Sequence, residues 1–407
     1  MSQPRVSQSV SHGTDVEYPR ATAAPHLVHV PTPGDHYSAA TGSAVMTVIY
    51  EMSRCHAAAG GRSGIMVGRQ TRHDYPVGDH LEFDAGSLPN RQQKLIDAAM
   101  GRIGLARHFA RRLYRPALQT LDADFDGVIL LHNAPAAVGL FARKFSRAKI
   151  CLWPHNDLFG TYSRREVRRT IDAADLVICV SQFIADGIAR QLGSASSLRR
   201  RKLCVVNNGV DPIRFRPRPG PAPSGEPVVL FVGRVTPQKS PDLLIRAAAK
   251  ILSPRRRFKL RIVGNSGFSA ADPLTPYEQE IRKLAAPLGA AVEFQSFVDR
   301  AGVSRELDAA SIYCVPSNWD DPCPLTVPEG LASGLPCIVS RRGGIPEEAA
   351  DAALYFNPPN VDALADRLVQ LLDDPAARSE WGRRARARAL EITWDNQYRL
   401  LRQHVEM

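Results

Sequence analysis

No stretch of the 407-residue chain holds about 18 consecutive apolar residues, so no transmembrane helix is expected. The seven cysteines, Cys55, Cys151, Cys179, Cys204, Cys314, Cys323 and Cys337, are odd in number and scattered. There is no CxxC and no Cys/His cluster at zinc spacing. Five of them sit in or beside apolar strand-like runs, which fits buried, reduced thiols in a cytosolic protein. GxSxG, P-loop and HExxH motifs are missing, and the first strand-to-helix turn carries no Gly-x-Gly of a dinucleotide fingerprint. The first residues lack an apolar h-region, so they do not read as a secretory signal. Their polar composition predicts a disordered tail over residues 1–25.

What is present describes a globular α/β protein. Hydrophobic residues make up 44% of the chain and charged residues 23%. The length favours two domains over one core. The formal charge of +11 comes from arginine clusters such as Arg111-Arg112, Arg164-Arg165, Arg168-Arg169 and Arg255 to Arg257. That balance suits a phosphorylated ligand, an anionic membrane surface or nucleic acid, or simply a solvated basic surface. The clusters are not interleaved with aromatics in a recognised module, which argues against nucleic acid.

Apolar runs at 26–30, 63–69, 127–133, 148–156 and 175–181 alternate with helical segments. One long helix is expected at about 91–120, with Leu95, Ile96, Ala99, Met100 and Ile103 near helical spacing and arginines opposite. Residues 212–226 are Pro-, Gly- and Arg-rich without periodicity and read as a linker. The alternation then restarts with strands expected at 228–234, 258–264, 291–297, 311–316, 336–340 and 353–356. Continuous apolar strands between helices imply parallel sheets covered on both faces. The expected division is a first α/β domain at 26–211, a second at 227–390, and a last helix within 391–407 that can pack back on the first domain.

Several motifs fall at expected carboxyl ends of strands, where ligands bind in open α/β sheets. Gly233 ends one strand, and Arg234 and Lys239 can converge there on an anion such as a diphosphate. A helix-start lysine and a salt-bridged arginine would explain the same residues. Gly264 ends the next strand. His155 lies past another, and His132-Asn133 end the strand before it. Asp321 and Glu329 stand eight residues apart across a loop-to-helix junction. Thr326-x-x-Glu329 is a capping-box pattern, so Glu329 either caps the helix or binds vicinal hydroxyls. Asp122-x-Asp124-x-Asp126 looks like a metal-binding DxD, but it precedes a strand, at the wrong edge of the sheet. No metal site is expected.

Taken in order, Gly233-Arg234, Lys239, Val263-Gly264, Pro316-Ser317, Asp321-Pro322, Glu329-Gly330 through Leu335-Pro336 and Gly343-Gly344-Ile345-Pro346-Glu347 resemble the retaining GT-B glycosyltransferases of family four, also called group 1. The first half fits through His155, Asp175, Val180-Ser181 and Asn208-Gly209-Val210-Asp211. The resemblance implies two Rossmann-like domains with parallel sheets facing across a cleft. It implies a nucleotide-diphosphate sugar as substrate, no cofactor and no required divalent metal. It places ribose on Glu329, the transferred sugar near Asp321 and His155, and the diphosphate on Arg234 and Lys239. Gly233, Gly264 and Thr326 join the donor site, with Gly42 of the loop Thr41-Gly42-Ser43 near the diphosphate. The reaction expected is hexosyl transfer with retention, by same-face attack aided by the departing phosphate. The expected acceptor is a saccharide or lipid-linked saccharide in cell-surface polysaccharide or glycolipid synthesis.

The sequence departs from the family pattern at three points. Asp321 replaces the first Glu of E-x7-E, Cys323-Pro324 replaces the common Phe-Gly, and Ser43 follows Gly42 where a second glycine is usual. The basic segment 91–120 is a candidate contact with anionic lipid, giving a cytoplasmic enzyme at the inner face of the membrane. The rival readings are an epimerase or phosphorylase on the same fold, or a basic nucleic-acid binder.

Overall fold

The computed structural model describes residues 27–193, 197–218, 225–267 and 271–406. The tail expected at 1–25 lies outside the described residues, as does part of the linker expected at 212–226. Two parallel sheets carry the fold. The first contains β1 (Leu27–Val30), β2 (Ser63–Gly68), β3 (Asp79–Phe83), β4 (Val128–His132), β5 (Lys149–Trp153), β6 (Leu176–Cys179) and β7 (Leu203–Val205). Its order is β3-β2-β1-β4-β5-β6-β7. The second contains β8 (Val228–Val232), β9 (Lys259–Val263), β10 (Val292–Gln295), β11 (Ile312–Val315), β12 (Cys337–Ser340) and β13 (Leu354–Phe356), in the order β10-β9-β8-β11-β12-β13. Every pairing is parallel. Both sheets therefore reverse direction beside their first strand, between β1 and β4 and between β8 and β11. That reversal opens a crevice at the carboxyl ends of the strands. These are the two Rossmann-like sheets of a GT-B fold.

The central strands are apolar throughout because helices cover both faces; β4 and β5 bury four of five residues each. The edge strand β3 is different. Its sequence DHLEF buries only Phe83, so it reads as a polar connection, and its place was not evident from hydrophobic pattern.

The helix expected over 91–120 is three short pieces: α2 (Arg91–Arg102), α3 (His108–Arg112) and a 3-10 turn at Pro116–Thr120. Gly104, at φ +88°, stops α2 in a left-handed conformation that favours glycine. The apolar stripe expected to face inward does not. Leu95, Ile96 and Ile103 are exposed, while Asp97 and Gly101 are the buried positions of α2. Asp97 accepts from the amides of Phe109 and Ala110 at 3.0 and 2.8 Å and so satisfies the start of α3.

Helix α1 (Ala44–Ala58) starts at Ser43, whose side chain accepts from the Met46 amide. The last helix, Trp394–Glu406, lies against α1. Cys55 Sγ donates to Asp395 at 3.3 Å, and His56 meets the Tyr398 hydroxyl at 2.7 Å. Trp394, Tyr398 and Leu401 join the first sheet's core, each such burial stabilising by roughly 2 kcal/mol.

The second half also touches the first through Glu347. Its carboxylate accepts from the amides of Gln182 and Phe183 at 2.5 and 2.7 Å, the first turn of α6 (Gln182–Leu192). Asn208 donates to the Cys323 carbonyl at 2.7 Å beside it.

Candidate active site

The loops at the carboxyl ends of β1, β5, β8, β9, β10 and β11 meet around one cavity of about 280 Å³. Gly42, His155, Gly233, Arg234, Lys239, Gly264, Asp321, Thr326 and Glu329 all line it. So the residues singled out from the sequence are brought together, from both sheets. Two glycines, one in its wall and one behind Asp321, allow close backbone approaches. A Cβ on Gly264, at φ +126°, would lie 2.1 Å from the Gly233 carbonyl oxygen. A Cβ on Gly343, at φ +54°, would lie 2.2 Å from the Asp321 carbonyl oxygen. Gly344 donates to that same carbonyl at 2.8 Å, so the glycine turn holds the backbone of Asp321 in place.

The charged residues are arranged in pairs. Lys239 Nζ donates to the Asp321 carboxylate, with both groups largely buried. Arg234 is exposed at the rim. Glu329 is buried, and Arg300 Nη2 donates to its Oε1 at 2.7 Å. Burial raises the Glu329 carboxyl above the ordinary range, and the Arg300 charge opposes that shift. The capping box allowed by Thr326-x-x-Glu329 does not form. Helix Thr326–Ala332 follows Leu325 with no side-chain cap, and the carboxylate turns to Arg300. The second Arg300 feature is its Nε, which is buried with no partner among the described residues. The sequence offered no motif for Arg300; it opens helix Arg300–Asp308, which follows β10.

Behind Asp321 lies Glu348, fully enclosed, whose carboxyl is raised well above its usual range by burial first and by Asp321 among its neighbours. Cys323 Sγ donates to Glu348 Oε1 at 3.2 Å.

On the opposite wall His155 ends a chain of three rings. His29 Nδ1 is 2.9 Å from His132 Nε2, and His132 Nδ1 is 2.8 Å from His155 Nε2. The three come from the carboxyl ends of β1 and β4 and from just past β5, and they stack alongside Trp153. Burial, with the neighbouring rings, lowers His29 to about 3 and His132 well below the ordinary value; burial alone lowers His155 to about 3. All three are neutral near pH 7. The Asn133 side chain accepts from the His155 amide at 2.7 Å, which fixes the ring's backbone. Asp122 to Asp126 precede β4, at the opposite edge of the sheet.

A cleft between two Rossmann-like sheets, with a buried carboxylate, paired cation and glycine turns at the switch point, has the architecture of a GT-B glycosyltransferase. Two family models match in tandem. "Glycosyltransferase Family 4" covers residues 45–214 and "Glycosyl transferases group 1" covers 213–388. The chain belongs to this family of glycosyltransferases. It is 33% identical over 242 residues to D-inositol 3-phosphate glycosyltransferase of Streptomyces avermitilis, covering 55% of this chain and 50% of that protein. It is 27% identical over 275 residues to spore coat protein SA of Bacillus subtilis, covering 63% and 72%. The match to the Streptomyces relative thus spans about half its length. Among solved structures, Anabaena HepE in complex with UDP and glucose superposes with a TM-score of 0.68 at 17% identity, over 94% of this chain and 100% of that one. Sucrose-phosphate synthase from Thermosynechococcus elongatus gives 0.72 at 20% identity, over 93% and 98%. At such identities these two likenesses speak to fold.

Proposed function

We propose that the protein transfers a hexosyl group from a nucleoside-diphosphate sugar to a saccharide or lipid-linked saccharide, with retention of configuration and without a divalent metal. The observation that carries this is the convergence of Lys239, Asp321, Glu329 and His155 on one cleft between the two sheets. In this reading the free edge of Glu329 takes the ribose hydroxyls while Arg300 holds its other oxygen. Lys239 leaves Asp321 for the diphosphate, joined by Arg234 and the backbone amides near Gly42 and Thr326. Positive charge at the leaving diphosphate stabilises the bond-breaking transition state. Asp321 and His155 then face the transferred sugar from opposite walls, and the departing phosphate receives the proton of the attacking hydroxyl on the same face.

HepE structures hold UDP and UDP-glucose, which makes a UDP-sugar the first donor to try. The reading also places the enzyme in the cytoplasm at the inner face of a membrane, in polysaccharide or glycolipid synthesis. The test is a thermal-shift panel of UDP-, GDP- and ADP-sugars, followed by transfer assays. One nucleotide class should stabilise the fold, and Glu329→Ala and Lys239→Ala should abolish transfer with the fold intact. Stabilisation by none of them, or near-full activity in either variant, removes the reading.

A further inference from the structure

Helix α2 is built inside out. It seats Asp97 and Gly101 against the protein and turns Leu95, Ile96 and Ile103 to the outside. A side chain at Gly101 would collide with the Glu166 carboxylate at 1.9 Å, so the helix lies tight on α5 (Arg164–Ala173) by its small, polar face. With Leu88 and Leu105, this segment holds five of the eight large hydrophobic side chains exposed among the described residues. They are not scattered singly, as exposed apolar residues ordinarily are. Arg91, Lys94 and Arg102 flank them on the same helix.

Beside this ridge is a second cavity, of about 230 Å³, bounded by α3, α4 (Val138–Lys144) and α5. Arg111, Arg143 and Arg169 line it, and none of the three has a carboxylate partner among the described residues. The carboxylate in its wall, Glu166, is already taken by Arg107 at 2.8 Å. Burial, then the charges of Arg143, Arg169 and Arg115, lower the Arg111 guanidinium below its ordinary value. Three cations facing one small cavity repel one another and are relieved by an anion. Ridge and cavity are joined directly: Arg169 Nη2 donates to the carbonyl of Gly104, at 2.7 Å, and Gly104 sits between Ile103 and Leu105.

We propose that α2 and the turn after it dock on an anionic phospholipid surface, and that Arg111, Arg143 and Arg169 receive a lipid phosphate. The exposed ridge enters the headgroup–acyl boundary, and the flanking cations add electrostatic attraction of about 1 kcal/mol each. No described helix is long and apolar enough to cross a membrane, so the contact lies on the surface. The site is distinct from the donor cleft and rests on the membrane-facing part of the reading above.

The test is sedimentation of the full chain with vesicles of phosphatidylcholine alone and of phosphatidylcholine with about one-third phosphatidylglycerol. Binding should require phosphatidylglycerol and weaken with added salt. Leu95→Glu with Ile103→Glu, and separately Arg143→Gln with Arg169→Gln, should each lower it about tenfold. Both double variants should keep the nucleotide-induced thermal shift of the parent, which shows them folded. Binding that survives the arginine changes would leave the membrane contact standing and remove the phosphate pocket. Absence of phosphatidylglycerol-dependent binding overturns the whole proposal. Inorganic phosphate that displaces the protein from vesicles more strongly than chloride at equal ionic strength would likewise remove the lipid-phosphate pocket, since a soluble anion would then be its ligand.

Discussion

Arg300 Nη2 meets Glu329 Oε1 at 2.7 Å, so the carboxylate proposed to take the ribose hydroxyls is paired within the protein. Burial raises the Glu329 carboxyl above its ordinary range, and the Arg300 guanidinium opposes that rise. Arg300→Gln leaves the buried carboxylate without its cation. Breaking such a pair costs about 3 kcal/mol, here reduced somewhat because the Arg300 side chain is 20% exposed. Urea denaturation should show a loss of about 2–3 kcal/mol, with nucleotide binding weakened as Glu329 loses the cation that orients it. A loss under about 0.5 kcal/mol would mean that the pair is incidental.

The Lys239–Asp321 pair makes a prediction of opposite sign for binding and turnover. In the proposed reading a diphosphate draws Lys239 away from Asp321. Asp321→Asn removes that competition and one negative charge from the cleft. UDP affinity, measured by calorimetry, should rise about tenfold, or roughly 1.4 kcal/mol. Transfer should fall about 100-fold, because the group proposed to face the sugar has lost its charge. Weaker UDP binding in the variant would show that the pair does not oppose the nucleotide.

These two pairs mark where sequence reading stops. Asp321, Glu329, Gly264 and Gly343 were legible because each ends a buried strand or sits in a short motif, and parallel sheets put strand ends on one edge. Arg300 was not, since its partner is 29 residues away and nothing in helix-start chemistry asks for arginine. The same holds for the histidine chain. His29 and His132 are 103 residues apart and meet only because β1 and β4 are neighbours in the sheet. Pattern failed differently at α2. Helical spacing was real, but periodicity says only that one face is apolar, not that this face is inward. Strand β3 escaped because an edge strand with one buried residue has no alternation to detect.

The three linked histidines predict how stability responds to acid. Their values in the fold are lowered, to about 3 for His29 and His155, against 6.5 in the unfolded chain. Their contribution is therefore complete above pH 6.5 and is lost as pH falls toward 3, because the unfolded state binds protons that the fold refuses. Glu348 acts in the opposite sense, keeping its proton in the fold. A comparison of variants separates the two. His29→Leu should reduce the slope of unfolding free energy against pH by one proton, about 1.4 kcal/mol per pH unit, between roughly pH 6 and 4. Equal slopes in parent and variant would place a charged ring in the chain. Each link needs one N–H and each neutral ring has one, so the three tautomers move together. The His29 Nε2 edge is buried with no partner among the described residues, and a lone pair is less costly there than an N–H. Nitrogen-15 shifts of the imidazoles should accordingly show Nδ1–H on all three.

Glu347 ties the second half of the chain to the first at a helix start. Its two oxygens accept from the Gln182 and Phe183 amides, which have no intrahelical partner in the first turn of α6. A carboxylate there also meets the positive end of the helix dipole. Such a cap is ordinarily local, contributing about 1 kcal/mol. Here it comes from 164 residues away, so it acts between the two sheets and competes with any opening of the cleft. Glu347→Ala should speed amide exchange at Gln182 and Phe183 about tenfold, while amides at the centre of β12 keep their protection. The cleft should also open more readily, seen as a larger radius of gyration in solution scattering that nucleotide binding reverses. If exchange at these two amides is unchanged, water caps α6 equally well, and the link between the halves must rest on Asn208 and Cys323 instead.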